Sequence, residues 1–287
     1  MRKHVKEIGK FFVFVAIFFA LTSPFVFLFG PFDNLKRTVV GAILKSRHPQ
    51  YITWLFSQEE IDKILGGISS TPKQELFKFK ARTDSTLTLK NIDSSRFKGF
   101  LLEIPDPHRV QVATAENMDE KGDTTSGIAE RVGAVAAINA GGFYDPNGQG
   151  NGSIPDSLVV VNGEVYYAAN GERNGFVGFD SNYIMHVGMP TLSEIQEKSI
   201  MTGACFGPVL VANGEPADPS TLASGVNPRT AIGQRSDGAV NACNLDGGSS
   251  SLMWFGDGYV NNCASVIGIR PVPTTFLVLK EGASTNG

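Results

Sequence analysis

The chain has 287 residues, 42% of them hydrophobic, with 25 Lys and Arg against 28 Asp and Glu for a net charge of −3. That length allows one large domain or two small ones, with core enough to dispense with disulfide staples. The charge divides into net +7 over residues 1–96 and net −10 over 97–287, so the larger part lacks the basic stripe that nucleic acid needs, and nucleic acid is excluded as its partner.

Residues 1–10 form a basic tail with Arg2, Lys3, Lys6 and Lys10. The run 11–29 is apolar apart from Thr22, Ser23 and Pro24, and is long enough for a membrane-spanning helix of about 20 residues. Hydroxyls beside Pro24 can help satisfy the freed backbone. A cleaved signal peptide shares the basic start, but the run is long and no small-x-small cleavage site follows it. An uncleaved transmembrane anchor is the expectation. Four basic residues lie on each side of the run, the later ones being Lys36, Arg37, Lys45 and Arg47, so the charge rule for orientation ties. A signal anchor with a cytoplasmic N-terminus would put the main domain outside the cytoplasm, at the cell membrane. Lipid is the implied partner of the anchor and its basic flank.

Residues 30–96 read as membrane-proximal helices and a linker. Ser57 and Glu60 have capping-box spacing ahead of Ile61, Ile64 and Leu65, and Gly66-Gly67 marks a stop. Residues 69–96 are polar, with room for one or two edge strands.

From 97 to 281 the pattern changes to short β segments separated by turn signals. Strands are expected over 99–104, 109–115, 134–139, 157–161, 164–167, 176–179, 184–186, 209–212, 231–234, 239–245, 251–255 and 275–279. Asn162-Gly163, Asp237-Gly238 and Asp257-Gly258 mark hairpins. Helices are expected only over 125–132 and 192–198, and 282–287 is a tail. The fold class is α+β: a sheet-dominated mixed domain with few helices, preceded by the transmembrane helix and the membrane-proximal helical segment. Cys205, Cys243 and Cys263 lack zinc-type spacing. Buried free thiols are expected, with a disulfide between two of them as the alternative.

Three segments carry candidate chemistry. In Asn244-Leu245-Asp246-Gly247-Gly248-Ser249-Ser250-Ser251 a lone carboxylate follows a buried strand, and glycines and hydroxyls follow the carboxylate. Such a turn can aim N–H groups at an anion, and the acid beside it can do acid–base or nucleophilic work. A plain glycine-rich turn with an Asx hydrogen bond reads the same way. In Asn227-Pro228-Arg229-Thr230-Ala231-Ile232-Gly233 the guanidinium heads an apolar strand and needs an anionic partner, either a phosphate or a carboxylate such as Asp246. In Ala136–Tyr144 a buried strand ends at Asn139, followed by Gly141, Gly142, Phe143 and Tyr144, residues suited to gripping a sugar or simply to turning the chain. No Walker loop, H-E-x-x-H or G-x-S-x-G motif occurs. No zinc-type cluster is present either, so no metal or cofactor is expected. Asp145-Pro146-Asn147-Gly148 lacks full calcium-loop spacing.

Taken together, these three segments and Arg270-Pro271-Val272-Pro273 resemble the phosphodiester glycosidase family over roughly 97–281. The resemblance implies a hydrolase that splits a sugar-1-phosphodiester into free sugar and phosphate monoester, on a cell-surface or exopolysaccharide glycan. It implies Asp246 and Arg229 as catalytic residues. Asn139, Gly141, Gly142, Phe143, Gly247, Gly248, Ser249 and Ser250 would then bind substrate. The alternative is a non-catalytic cell-surface module that binds phosphorylated glycans. One departure stands out: only ten residues separate Gly233 from Asn244, where the family pattern has a further strand and helix.

Overall fold

The structure is a computed structural model. It describes the chain except residues 1, 33–35, 37–38, 41–42, 44–49, 58–59, 61–63, 65–85, 147–149, 169–174, 220–221, 223–224, 236–238, 267 and 284–287. The polar linker over 69–85, the Gly66-Gly67 stop, Asn147-Gly148 and the Asp237-Gly238 turn lie outside the described residues. Two compact units emerge, 1–68 with 218–226, and 69–217 with 227–287.

In the first unit, helix α1 (Arg2–Phe29) carries Phe11, Phe12, Phe14, Phe18, Phe19 and Phe25 more than half exposed. Leu28 belongs to a small apolar cluster with Val40, Ile52 and Phe56. Ile52 sits in the one-turn helix α2 (Gln50–Thr53). Ser57 and Glu60 make the reciprocal bonds of the expected capping box, Ser57 N to Glu60 Oε2 at 2.8 Å and Glu60 N to Ser57 Oγ at 3.3 Å. Several α1 side chains (2–9, 16, 20–21, 24 and 27) are outside the described set. Among the described residues no helix is long and apolar enough to cross a membrane, so the transmembrane helix expected over 11–29 is not established.

The second unit is built from β1 (Thr88–Asp93), β2 (Lys98–Glu103), β3 (Val110–Thr114), α3 (Thr125–Arg131), β4 (Ala136–Asn139), β5 (Val159–Val161), β6 (Glu164–Tyr167), β7 (Phe176–Asp180), β8 (Met185–Gly188), α4 (Leu192–Glu197), β9 (Ile200–Cys205), β10 (Val209–Ala212), β11 (Glu215–Pro216), β12 (Thr230–Arg235), β13 (Ala239–Leu245), β14 (Met253–Phe255), β15 (Gly258–Tyr259) and β16 (Thr274–Val278). The sheet-dominated α+β fold with few helices is as expected. The strands form a β1–β2 hairpin and three larger sheets, ordered β15-β14-β4-β16-β3, β6-β5-β9-β7-β8 and β11-β10-β13-β12. β9, central in the second of these, has no counterpart among the expected strands.

Alternation explains how the layers stack. Val159, Val177 and Ala204 face a shared core with Val112 and Phe276 of the first sheet and Cys243 and Leu245 of the third. Their neighbours Val160, Phe176 and Cys205 point the other way and pack with Ile195 of α4, as side-chain period two requires. Thr191 and Glu194 close a capping box at the start of α4. On the first sheet, Ala137, Trp254 and Leu277 pack with Ala129 of α3. Full burial of one such large side chain stabilises the fold by about 1.5–3 kcal/mol. The stacking leaves the ends of β4 and β13 buried beside each other, and the candidate site lies there.

Candidate active site

Asp246 follows the last residue of β13. Its backbone N–H donates to Ala140 O at 3.0 Å, just past the end of β4, and its Oδ1 accepts from Gly247 N at 2.8 Å. Burial pushes the Asp246 carboxyl up to about 6. Hydrogen bonds from Ser250 and Gly247 and the nearby Arg270 charge oppose that rise, and Asp145 adds to it. A desolvated acid beside a cation, at the end of a buried strand, is the arrangement expected of a functional carboxyl.

Arg229 is exposed and reaches the same turn. A Cβ built on Gly247 would lie 3.9 Å from one Arg229 guanidinium nitrogen and 3.0 Å from Pro228 O, which also accepts from Gly248 N at 3.0 Å. Among the described residues Arg229 forms no ion pair with Asp246. The cation that bears on Asp246 is instead Arg270. Arg270 forms an ion pair with Asp145 and lies over the Phe143 ring, 4.7 Å from its centroid.

Several expected substrate contacts look different at this scale. Asn139 is fully buried. Its Nδ2 donates to Asp246 O at 2.6 Å, and its Oδ1 accepts from Thr230 Oγ1 at 2.8 Å and Leu252 N at 3.3 Å. A side chain so enclosed cannot grip a sugar; it clamps the Asp246 turn to β12 and the approach to β14. Gly141 is likewise internal, its N–H donating to Thr274 Oγ1 at 3.1 Å. Phe143 is buried with Ala115, Met118, Ile128 and Val272 and carries Arg270, so it offers no face to a ligand. Tyr144, 61% exposed, is the aromatic open to solvent.

The turn after Asp246 also departs from an anion cradle. Gly248, at φ +63°, leads a short 3-10 turn through Ser250. Gly247 N is bonded to Asp246, Gly248 N to Pro228 O and Ser250 N to Gly247 O. Those N–H groups are engaged internally. Ser249 is half-buried, and the Ser250 hydroxyl serves Asp246.

Two carboxyls complete the cluster that the sequence motifs did not mark. Asp145 pairs with Arg270 and accepts from Gly150 N at 2.6 Å. Asp156 is pushed up to about 7, by burial first and then by the charges of Asp246 and Asp145. Its one sequence signal is an acid between Pro155 and the buried Ser157-Leu158, which reads as an ordinary turn residue. Among the described residues no group of three or more His, Cys, Asp or Glu is arranged to hold a metal. Cys205 and Cys243 are buried thiols and Cys263 a half-buried one, none of them in a disulfide.

A family model described as phosphodiester glycosidase matches residues 132–240 and 235–279, spanning more than half of the chain. The chain belongs to the phosphodiester glycosidase family. The two matched pieces overlap in 235–240, between the Arg229 and Asp246 motifs. The catalytic domain of zebrafish N-acetylglucosamine-1-phosphodiester alpha-N-acetylglucosaminidase, auto-inhibited by its pro-peptide, is similar in fold. Its TM-score is 0.55 at 17% identity, covering 69% of this chain and 83% of that one. A hypothetical protein from Synechocystis has a TM-score of 0.46 at 14% identity, covering 67% and 62%. No curated protein matches the chain in sequence. β12 pairs antiparallel with β13, and Asn139 braces the turn that follows β13.

Proposed function

We propose that this phosphodiester glycosidase hydrolyses sugar-1-phosphodiesters of a cell-surface or exopolysaccharide glycan, releasing free sugar and a phosphate monoester. The carrying observation is the desolvated Asp246 carboxyl, with Arg270 acting on it and Arg229 reaching its turn. The bond that breaks joins the anomeric carbon to the phosphate oxygen, and the electron pair leaves with phosphate. Arg229 and Arg270 hold that growing negative charge. Ionised Asp246 either attacks the anomeric carbon or takes the proton of the attacking water. Tyr144 packs against the sugar. The domain works outside the cytoplasm, held to lipid through α1, whose exposed phenylalanines support that placement.

The test uses the full chain in detergent micelles with a panel of sugar-1-phosphodiesters, reading released reducing sugar. Asp246→Asn is expected to cut turnover about 10³-fold or more while substrate still binds. Wild-type rates in that variant would end the proposal. Tight binding by wild type without turnover would point to a glycan-binding module instead.

A further inference from the structure

Asp156 takes no part in the chemistry above, yet it is tied to the same short segment as Asp246. Asp246 N–H donates to Ala140 O and Asp156 N–H donates to Gly142 O, both at 3.0 Å. Two carbonyls only two residues apart therefore carry both acids. Gly142 is what makes room: a Cβ built there would stand 2.3 Å from Asp156 Oδ2 and 3.0 Å from the Phe206 ring. The carboxyl fills the place a side chain at 142 would take. Among the described residues no hydrogen-bond donor reaches that carboxyl, and the residue is only part-buried. A part-buried acid whose carboxyl receives no donor among the described residues keeps its proton available to a ligand.

We infer that Asp156 and Asp246 work as a pair, with Asp156 holding the proton and passing it to the phosphate oxygen as that oxygen leaves. The inference rests on the reaction proposed above for its substrate. As the bond to the anomeric carbon breaks, its electron pair goes to the phosphate oxygen, which takes the proton from Asp156. Water then supplies hydroxyl to the anomeric carbon, either directly with its proton taken by Asp246 and passed on to Asp156, or after an Asp246 ester with its proton taken by Asp156. That proton replaces the one Asp156 gave to the phosphate oxygen, so the sum is one water consumed per bond.

The groups facing the pair set its titration. Asp156 feels burial, Asp246 and Asp145, and its proton is held to about 7. Asp246, at about 6, feels burial, Ser250, Gly247, Arg270 and Asp145. Arg229 reaches the turn from its exposed side. Between those values the pair carries one proton, mostly on Asp156. A phosphate monoester has a second pKa of about 6, so donor and acceptor are closely matched, the condition under which general acid help is effective.

The experiment has an activity arm and a titration arm, both on the full chain in detergent. In wild type, kcat/KM on a sugar-1-phosphodiester should follow a bell, with its acid limb set by Asp246 and its alkaline limb by Asp156. Asp156→Asn should lower kcat about 10²-fold or more and lose the alkaline limb while keeping the acid one. Gly142→Ala, which puts a methyl in the carboxyl's place, should reproduce that profile. An active wild type whose Asp156→Asn variant keeps both limbs overturns the inference and leaves the hydrolase reading standing. The titration arm follows the carboxyls of aspartate-labelled protein by carbon NMR. Asp156 should titrate near 7 and fall towards the ordinary carboxylate range in Asp246→Asn. If it titrates in the ordinary range in wild type, the pair does not exist. A wild type inactive on every phosphodiester but with the coupled titration defeats the hydrolase reading alone and upholds the pairing.

Discussion

Asn139 illustrates how a residue can matter to a site without touching what binds there. Its amide joins Asp246 O, Thr230 Oγ1 and Leu252 N, which belong to segments about a hundred residues away in sequence. Asn139→Ala strands two donors and one acceptor in a dry interior. Each buried group left unsatisfied costs about 1–3 kcal/mol, so the variant should lose about 3 kcal/mol or more in urea unfolding, and its turnover should fall with the loosened Asp246 turn. A variant as stable as wild type would show the clamp to be idle. The sequence pattern marked Asn139 as important, but its burial depends on neighbours that only the fold brings together. Asp246 was legible because an acid ahead of paired glycines at a strand end is a local pattern. Asp156 was not, because what makes it unusual is its seat over Gly142 and the charges of Asp246 and Asp145, none of which is local to it.

At the scale of elements, short β-prone runs bounded by turn signals made β4, β5, β6, β10 and β13 readable, and the starts of α3 and α4 follow from Thr124 and Thr191 as N-caps. β9 was missed for a physical reason. Its run Ile-Met-Thr-Gly-Ala-Cys is poor in β-branched residues and holds a glycine, which normally weakens a strand. The glycine is there because Gly203 pairs directly with Gly178 of β7, and the Phe176 ring covers both. A Cβ on Gly203 would lie 2.4 Å from Phe176 Cζ. Thr202 meanwhile links two sheets, its hydroxyl accepting from Val112 N of β3 at 2.6 Å. Overpacking a core of this kind costs about 1–3 kcal/mol, so Gly203→Ala should lower the unfolding free energy measured in urea by about that amount. Adding Phe176→Leu should recover part of the loss, since contacting sites couple. Purely additive losses in the double variant would show that the ring does not govern the glycine. The Asp257-Gly258 hairpin is shifted by one residue, because Phe255 pairs with Gly258 and leaves Gly256-Asp257 as the turn. Gly256, at φ +71°, takes the left-handed position.

At the scale of the whole molecule, the excess negative charge of 97–287 is not merely a solvated surface. Arg270 pairs with Asp145 and acts on Asp246, Asp156 feels both of those acids, and two of the three carboxyls are raised. A raised carboxyl lets the folded chain bind more protons than the unfolded one between the ordinary carboxylate range and about 7. Its contribution to stability is therefore present at low pH and disappears as pH rises through about 6 and 7. Comparing Asp156→Asn with wild type isolates the effect. The variant should gain thermal stability at pH 8, about 2–4 °C per kcal/mol relieved, and little at pH 4. An equal gain at both pH values would remove the electrostatic explanation. Family membership, too, was readable from the three motifs, because they are short, local and in order. The roles of the residues within them depend on packing across sheets.

The Asn139 clamp has one further consequence. The floor of the site is fastened to β12, to the run into β14 and to the end of β4 at once, so it has little freedom to reshape around different sugars. On the proposed function, any accommodation of one sugar over another falls to the rim, where the exposed Tyr144 and Arg229 stand.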